Sequence, residues 1–253
     1  MSETTEASIA SFDLSTSNLS YETLEQLRSL AIKAQNKANV RVLVVSLNVE
    51  SKDPSDMGPW PSRVEHRQVR GKHGPGPIVE QDLIKALRGV HKPTLAVIRE
   101  NLCDFALDVA AACDVRIATE SAKIVDSRVS HGQTASSGIS YLLPRLIGLS
   151  QAMRISLLGE TLSAQEAHLI QFIHHVVADA TADQEIASWI ERLSRMPTRA
   201  WEVHKLQVLP QLDQSFESAM VHSLGIRQTH AIKDRIEGIN AWRERREPRF
   251  TGQ

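Results

Sequence analysis

The sequence predicts an α/β core followed by a helical appendage, and three observations indicate it. Strand-like and helix-like segments alternate through the first half of the 253-residue chain. One of the strands, VRVLVVSL, is a nearly continuous apolar run, as expected of a strand buried on both faces of a parallel sheet. From about Ser137 onward the segments are mostly helical. Alternation followed by helices is typical of this fold class.

The first half supplies the predicted sheet and its connecting helices. SIASFDL alternates as a short strand, and Ser20 can cap a helix over YETLEQLRSLAIKAQNKAN. After VRVLVVSL comes the longest irregular stretch, residues 48 to 77, a length that usually indicates a functional or mobile loop. A helix is then predicted for IVEQDLIKALRGV, and strands for PTLAVI, DVRIAT and AKIVD.

The second half supplies the predicted appendage. SSGISYLL and LSQAMRISLLG are predicted as helices around Pro144, and SAQEAHLI as a short helix before the strand HHVVA. Four helical segments complete the chain. We therefore expect an α/β core over residues 1-195 and a C-terminal helical oligomerisation region over residues 196-253.

Composition argues against several functional classes. With 29 Lys and Arg against 30 Asp and Glu, the net charge of −1 gives no reason to expect nucleic acid or an anionic membrane as partner. No apolar run has the length of a membrane span, and the acidic N-terminus lacks the apolar region of a signal peptide. Cys103 and Cys113 alone form neither a disulfide framework nor a four-ligand zinc site. We expect a reduced, cytoplasmic protein without a metal.

Several longer segments carry a resemblance to a known family. They are HKPTLAVI, AAACDVRIATESAKI, YLLPRLIGLSQAMRISLLGETLSAQEAH, HHVV and EGINAWRERREPRFTG. Together they resemble the crotonase superfamily, also called the enoyl-CoA hydratase/isomerase family. The resemblance implies a spiral of βαβ units with a C-terminal helical region, assembled as a homotrimer or homohexamer. It also implies a small-molecule acyl thioester, on CoA or a carrier, as substrate, with no bound cofactor.

In this family two backbone N–H groups hold the thioester carbonyl in an oxyanion hole. One comes from the loop after the VLVVS strand, where the resemblance points to Asp53. The other comes from a glycine-rich turn, which falls here on Asp104, Phe105 and Ala106, so that Phe105 would supply the donor. We interpret Asp104 as the N-cap of a helix starting at Phe105. A Cβ at this turn crowds the thioester, and the resulting oxyanion hole is expected to be weakened.

The two family carboxylates that handle protons fall on Asp108 and Arg128. Arginine stays protonated and cannot act as a base, so ordinary hydratase or isomerase chemistry is not supported. Asp126 and His131 offer an Asp–His pair that could activate water. The structural alternatives are a local Asp126–Arg128 ion pair and a loop or interface histidine at 131.

Three further residues are expected to bind substrate. The resemblance matches Asp56 to an aspartate of the first oxyanion loop, and the ending RREPRF retains Arg246 and Phe250. In relatives this ending can approach the CoA of a neighbouring subunit.

The favoured hypothesis is a family member that binds an acyl-CoA-like thioester with nonstandard or reduced catalysis. One alternative is a non-catalytic scaffold or partner subunit with the same fold. Another is a thioester decarboxylase in which Arg128 grips a carboxylate. The last is a β-dicarbonyl C–C hydrolase working through Asp and His.

Overall fold

The computed structural model describes residues 4–6, 8–15, 21–48 and 79–253. Within them one main sheet organises the chain. Its first pair of strands is antiparallel and every other neighbouring pair is parallel. In spatial order the six strands are β1 (Thr4–Glu6), β2 (Ile9–Ser15), β3 (Val42–Asn48), β4 (Thr94–Ile98), β6 (Val115–Thr119) and β9 (His175–Val177).

A second, smaller sheet has three short strands, in the spatial order β5 (Leu102–Cys103), β7 (Lys123–Val125) and β8 (Leu162–Ser163). The chain steps from the main sheet to this one twice, from β4 to β5 and again from β6 to β7. A repeated step of this kind is the path of a spiral of βαβ units, so the predicted α/β spiral is confirmed.

Ten α-helices lie in the described part of the chain. They are α1 (Tyr21–Asn36), α2 (Val79–Gly89), α3 (Asp104–Ala112), α4 (Ile139–Ile147), α5 (Leu149–Ser156), α6 (Ala164–Leu169), α7 (Ala182–Ser194), α8 (Thr198–Val208), α9 (Phe216–Thr229) and α10 (Asp234–Glu244). The predicted boundary at residue 195 falls between α7 and α8, and the division into two regions stays a prediction. Ser20, predicted to cap α1, lies outside the described residues.

Both faces of the main sheet are buried, as its apolar sequence predicts. On one face Val44, Val97 and Ile117 pack with the apolar side of α7. On the other face Val45 and Ile98 belong to the larger core that includes α1, α2 and α3. Successive residues of a strand point to opposite faces, so each strand feeds both cores. Helix α3 is thereby held in the interior of the protein.

Candidate active site

Helix α3 carries the first half of the candidate site. All nine of its residues are buried, including Asp104 and Asp108. Residues four apart lie on the same face of a helix, so these two carboxyl groups face the same side. The segment after β7 lies against that side, because Ser127 and Arg128 bond to them. The buried acidic face of α3 therefore contacts a loop that carries its hydrogen-bond donors.

The structure corrects the interpretation of Asp104 as an N-cap. Helix α3 begins at Asp104 itself, and the residue at the N-cap position, Cys103, makes no side-chain cap. Asp104 has a left-handed backbone, with φ of +48°. Its carboxylate accepts hydrogen bonds from the backbone N–H of Ser127, at 2.8 Å, and from the Ser127 hydroxyl, at 3.0 Å. The carboxylate thus fastens the helix to the next loop.

The left-handed conformation explains how this turn exists without glycine. Aspartate and asparagine tolerate it better than other residues with a side chain. Burial raises the pKa of Asp104, while the two bonds from Ser127 oppose that rise. Phe105 is buried beside it, with 3% of its surface exposed, and its role as an oxyanion-hole donor stays a prediction.

The centre of the site is a buried guanidinium between two carboxylates. Arg128 donates from Nη1 and Nη2 to the two carboxylate oxygens of Asp108, both at 2.9 Å. It also donates from Nε and Nη2 to those of Asp126, at 2.7 and 2.9 Å. The Asp126–Arg128 ion pair predicted from the sequence is therefore confirmed, and Asp108 extends it. An arginine has five N–H donors, and four of them are used here.

Two carboxylates share this one guanidinium, and burial acts on the pKa of Asp108, of Arg128 and of the adjacent Cys103. Burial raises the pKa of Asp108 to about 6, although Arg128 and a hydrogen bond from Ser137 pull it down. Burial also acts to lower the pKa of Arg128, but the two carboxylates outweigh it and raise that pKa, so the guanidinium stays charged. Burial raises the pKa of the adjacent Cys103 thiol to about 12, which keeps it protonated.

A cavity of about 490 Å³ lies next to this cluster. It is lined by residues of α2 and of the segment from Ala135 to Ser140. Ser137 is one of its walls, and the Ser137 hydroxyl donates a hydrogen bond to Asp108. Asp108 is 0% exposed, so this hydroxyl connects it to the cavity. Lys85 and Arg88 add positive charge to the same walls.

The predicted Asp–His pair does not form. His131 ends an exposed 3₁₀ turn, Val129–His131, and its Nδ1 lies 2.8 Å from the backbone carbonyl of Ser127. The carboxylate of Asp126 is instead bonded to Arg128. His131 is therefore placed as a loop histidine.

The remaining predicted residues lie outside the cluster. Arg246 donates to Glu237 at 2.6 and 2.9 Å and to Glu244 at 2.6 Å, so its guanidinium is held on α10. Phe250 packs near Gly238 of the same helix. Asp53 and Asp56 lie outside the described residues. The oxyanion-hole role of Asp53 and the substrate-binding roles of Asp56, Arg246 and Phe250 stay predictions.

Three contacts of the site were not predicted from the sequence: Asp108 with Arg128, Ser137 with Asp108, and Ser127 with Asp104. The resemblance put Asp108 and Arg128 at the two acid positions, and their opposite charges were a usable signal that they pair. Ser137 was visible only as one hydroxyl among several in its segment. Nothing in the sequence indicated that Ser127 would bond to Asp104, because that contact depends on the left-handed turn.

Comparison with known proteins identifies the class of fold and site. Residues 76–253 match the enoyl-CoA hydratase/isomerase family, which is more than half of the chain. The chain belongs to this family, within the crotonase superfamily.

Particular relatives agree with this assignment. The Mycobacterium tuberculosis protein named probable enoyl-CoA hydratase echA12 is 32% identical over 174 residues, covering 67% of this chain and 61% of that protein. The Mus musculus methylglutaconyl-CoA hydratase, mitochondrial, is 32% identical over 190 residues, covering 70% of this chain and 59% of that protein. The alignments thus span about three fifths of the length of these relatives.

Solved structures give the same fold. An enoyl-CoA hydratase from Bacillus anthracis has a TM-score of 0.78 at 20% identity, covering 97% of this chain and 96% of that one. A protein from Mycobacterium abscessus, titled a probable enoyl-CoA hydratase/isomerase, has a TM-score of 0.79 at 26% identity, covering 98% and 97%. Among the residues that the structure describes, no helix is long and apolar enough to span a membrane. That same portion holds no cluster of three or more His, Cys, Asp or Glu residues suited to a metal ion.

Proposed function

We propose that this chain binds an acyl-CoA-like thioester and that its catalysis is nonstandard or reduced. One observation carries the proposal: the guanidinium of Arg128 stands at the second acid position and is bonded to Asp108, the acid that accepts a hydrogen bond from Ser137 in the cavity wall. The family relationship supports the thioester as ligand.

Hydration of a double bond needs one group to take a proton from water and another to give one. Arg128 can do neither, because its guanidinium does not deprotonate. Asp108 accepts two bonds from Arg128 and one from Ser137, and each bond lowers its ability to act as a base. The remaining proton route runs from the cavity through the Ser137 hydroxyl to Asp108. This route provides one proton-transferring group, Asp108, whereas ordinary hydration uses two.

The cavity beside Ser137 supports binding without ordinary turnover. Its volume of about 490 Å³ is within the range of small-molecule sites. Its hydroxyls and the cations of Lys85 and Arg88 suit a polar or anionic substrate. The substrate is expected to supply the reacting thioester, so no bound cofactor is included in the proposal.

Calorimetry with CoA and crotonyl-CoA, together with loss of the enoyl absorbance, tests this function. We expect crotonyl-CoA to bind at millimolar concentration or below and to be hydrated little or not at all. Asp108→Asn should remove any turnover that is found on an acyl-CoA, whereas the surface substitution Glu160→Gln should not. Failure to bind either compound would refute the thioester proposal. Rapid hydration that persists in Asp108→Asn would refute the catalytic part.

A non-catalytic scaffold or partner subunit is the second candidate. It is favoured by the use of four of the five Arg128 N–H groups inside the protein, which makes the cluster structurally complete. The same saturation weakens the decarboxylase alternative, since that reaction needs the guanidinium for a substrate carboxylate. The separate bonding of Asp126 and His131 likewise gives no support to a β-dicarbonyl hydrolase.

We also propose that the chain forms a homotrimer or homohexamer. Large apolar side chains are exposed on α5, α9 and α10, for example Leu149 at 65%, Phe216 at 75% and Trp242 at 79%. Exposed apolar surface of this kind usually marks an interface. Sedimentation analysis should give three or six copies, and a monomer at micromolar concentration would contradict the proposal. The two buried free cysteines support a reducing compartment, such as the cytoplasm.

A further inference from the structure

A second cavity, of about 610 Å³, lies at the opposite end of α3 from the carboxylate cluster. It is enclosed by the C-terminal turn of α3 and by residues of α4 and α8. Much of its wall is apolar: Ala111, Ala112, Leu142, Leu146, Trp201, Val208 and Leu209. Arg88 also lines the first cavity, but the other residues of this wall have no part in the proposed thioester function.

Arg116 brings a buried cation to this wall. Only 2% of its surface is exposed. Its Nε donates to the carbonyl of Phe172 at 2.6 Å, and its Nη1 to those of Cys113 at 2.7 Å and Ala110 at 3.3 Å. Its Nη2 donates to no residue in the part of the chain that the structure describes, and no carboxylate there pairs with the guanidinium. A buried cation without a counter-ion is costly, and an anion beside it would lower that cost.

The other charged groups in the wall form no ion pair with Arg116, although the charge of Asp114 acts on it from nearby. Asp114 pairs with Lys205 at 2.7 Å. Arg145 pairs with Asp213, which lies at 3.1 Å. Arg88 also lines the cavity and has no carboxylate within ion-pair distance among the described residues. Burial and the nearby charge of Arg116 lower the pKa of His174 to about 4, so this imidazole is neutral at pH 7.

The wall therefore combines an apolar surface with the guanidinium groups of Arg88 and Arg116, which have no ion-pair partner among the described residues. We propose that this cavity binds an amphipathic organic anion, with its carboxylate on Arg116 and its hydrocarbon tail along the apolar wall. The volume is within the range of small-molecule sites. Carboxylate and guanidinium make charge-assisted hydrogen bonds, which are about twice as strong as neutral ones. Burial of a hydrocarbon tail adds roughly 0.8 kcal/mol for each methylene.

Calorimetric titration of the full-length protein with octanoate, 1-octanol and acetate tests the site. Octanoate has both the hydrocarbon tail and the carboxylate, 1-octanol has the tail without the charge, and acetate has the charge without the tail. None of the three is a thioester. Octanoate should bind at least tenfold more tightly than either of the others. Trp201 lines the cavity, so its fluorescence should change on binding, and that change should be absent in Trp201→Phe. Equal affinity for octanoate and octanol, or no binding of octanoate at millimolar concentration, would overturn the proposal.

Three variants locate the probe. Arg116→Met should weaken octanoate binding at least tenfold and leave octanol unchanged. Arg88→Gln should weaken octanoate less, and it disturbs no hydrogen bond to the core. Val208→Trp places bulk in the cavity from a residue that is 57% exposed, so the fold is kept and both tailed probes should be lost. Retention of octanoate by Val208→Trp would show that it binds elsewhere and would refute the assignment. Because thioester binding is measured separately with crotonyl-CoA, failure here leaves the proposed function standing.

Discussion

The two ends of helix α3 hold buried charge in opposite ways. At its N-terminal half Asp108 and the nearby Asp126 share the single guanidinium of Arg128, and Asp104 is bonded to Ser127. At its C-terminal end Arg116 donates to the carbonyls of Ala110 and Cys113, with no carboxylate partner in the described chain. Both arrangements agree with the helix dipole, which favours anions at the N-terminus and cations at the C-terminus.

Burial of a charge therefore does not by itself identify a ligand site. The acidic end is closed, because its charges are bonded to one another. The basic end is open, because Nη2 of Arg116 donates to no residue in the described part of the chain and a cavity adjoins this arginine. The two ends therefore respond differently to the loss of their arginines.

The largest effect is expected from Arg128→Met. Removing the cation leaves two buried carboxylates without their counter-ion, which typically costs about 3–5 kcal/mol of unfolding free energy. Urea denaturation followed by circular dichroism measures this loss. Arg99→Met is the matched control, since it breaks the ion pair with the exposed Asp183 and should cost far less.

A smaller loss of stability is expected from Arg116→Met, at the C-terminal end of α3. It removes hydrogen bonds to carbonyls but separates no ion pair, and we expect a loss of about 1–3 kcal/mol. A loss equal to that of Arg128→Met would contradict the distinction between a closed acidic end and an open basic end.

The third prediction is that the unfolding free energy depends on pH through Asp108, at the acidic end. The pKa of Asp108 is raised to about 6 in the folded protein, above the ordinary value of about 3.9 in an unfolded chain. Its contribution to stability is therefore fully present below about pH 4 and is lost as the pH rises through about 6.

Unfolding free energies of the wild type and of Asp108→Asn, measured from pH 4 to pH 7.5, test this. Relative to Asp108→Asn, the wild type should lose on the order of 3 kcal/mol of unfolding free energy as the pH rises over that range. If the wild type instead gained unfolding free energy relative to Asp108→Asn with rising pH, Arg128 would be holding Asp108 ionised throughout.

The smallest effect is expected from the cavity wall. Ser137→Ala removes the hydroxyl that donates to Asp108 and should cost about 1 kcal/mol. Ser136→Ala is a close control, because this exposed serine lines the same cavity and uses its backbone carbonyl, not its hydroxyl, to bond with Gln81. Equal losses in thermal or urea denaturation would show that the Asp108 contact contributes nothing.

The fold could be predicted from the sequence because its strands are unambiguous. The run from Val42 to Leu47 is apolar except for Ser46, and Pro93 immediately precedes β4. The resemblance then supplied the order of the later helices. Such features depend on residue type and spacing, which a sequence displays directly.

The site could be predicted only in part. The positions of Asp108 and Arg128 followed from the resemblance, and the Asp126–Arg128 pair followed from proximity in the chain. The N-cap interpretation of Asp104 was wrong, because preference for a cap and tolerance of a left-handed backbone belong to the same residue type. The sequence also could not show that one guanidinium would satisfy both Asp108 and Asp126, since that depends on three side-chain rotamers.

The left-handed Asp104 has a consequence for recognising distant members of this family. A bend at that point is usually sought through its glycines, yet here an acidic residue makes the same bend and ties it to a serine 23 positions downstream. A sequence pattern that allows Asp or Asn at this bend and a Ser 23 positions downstream would find family members that a pattern requiring glycine excludes. Such chains would form a set in which to measure whether this bend, made without glycine, occurs together with hydratase activity.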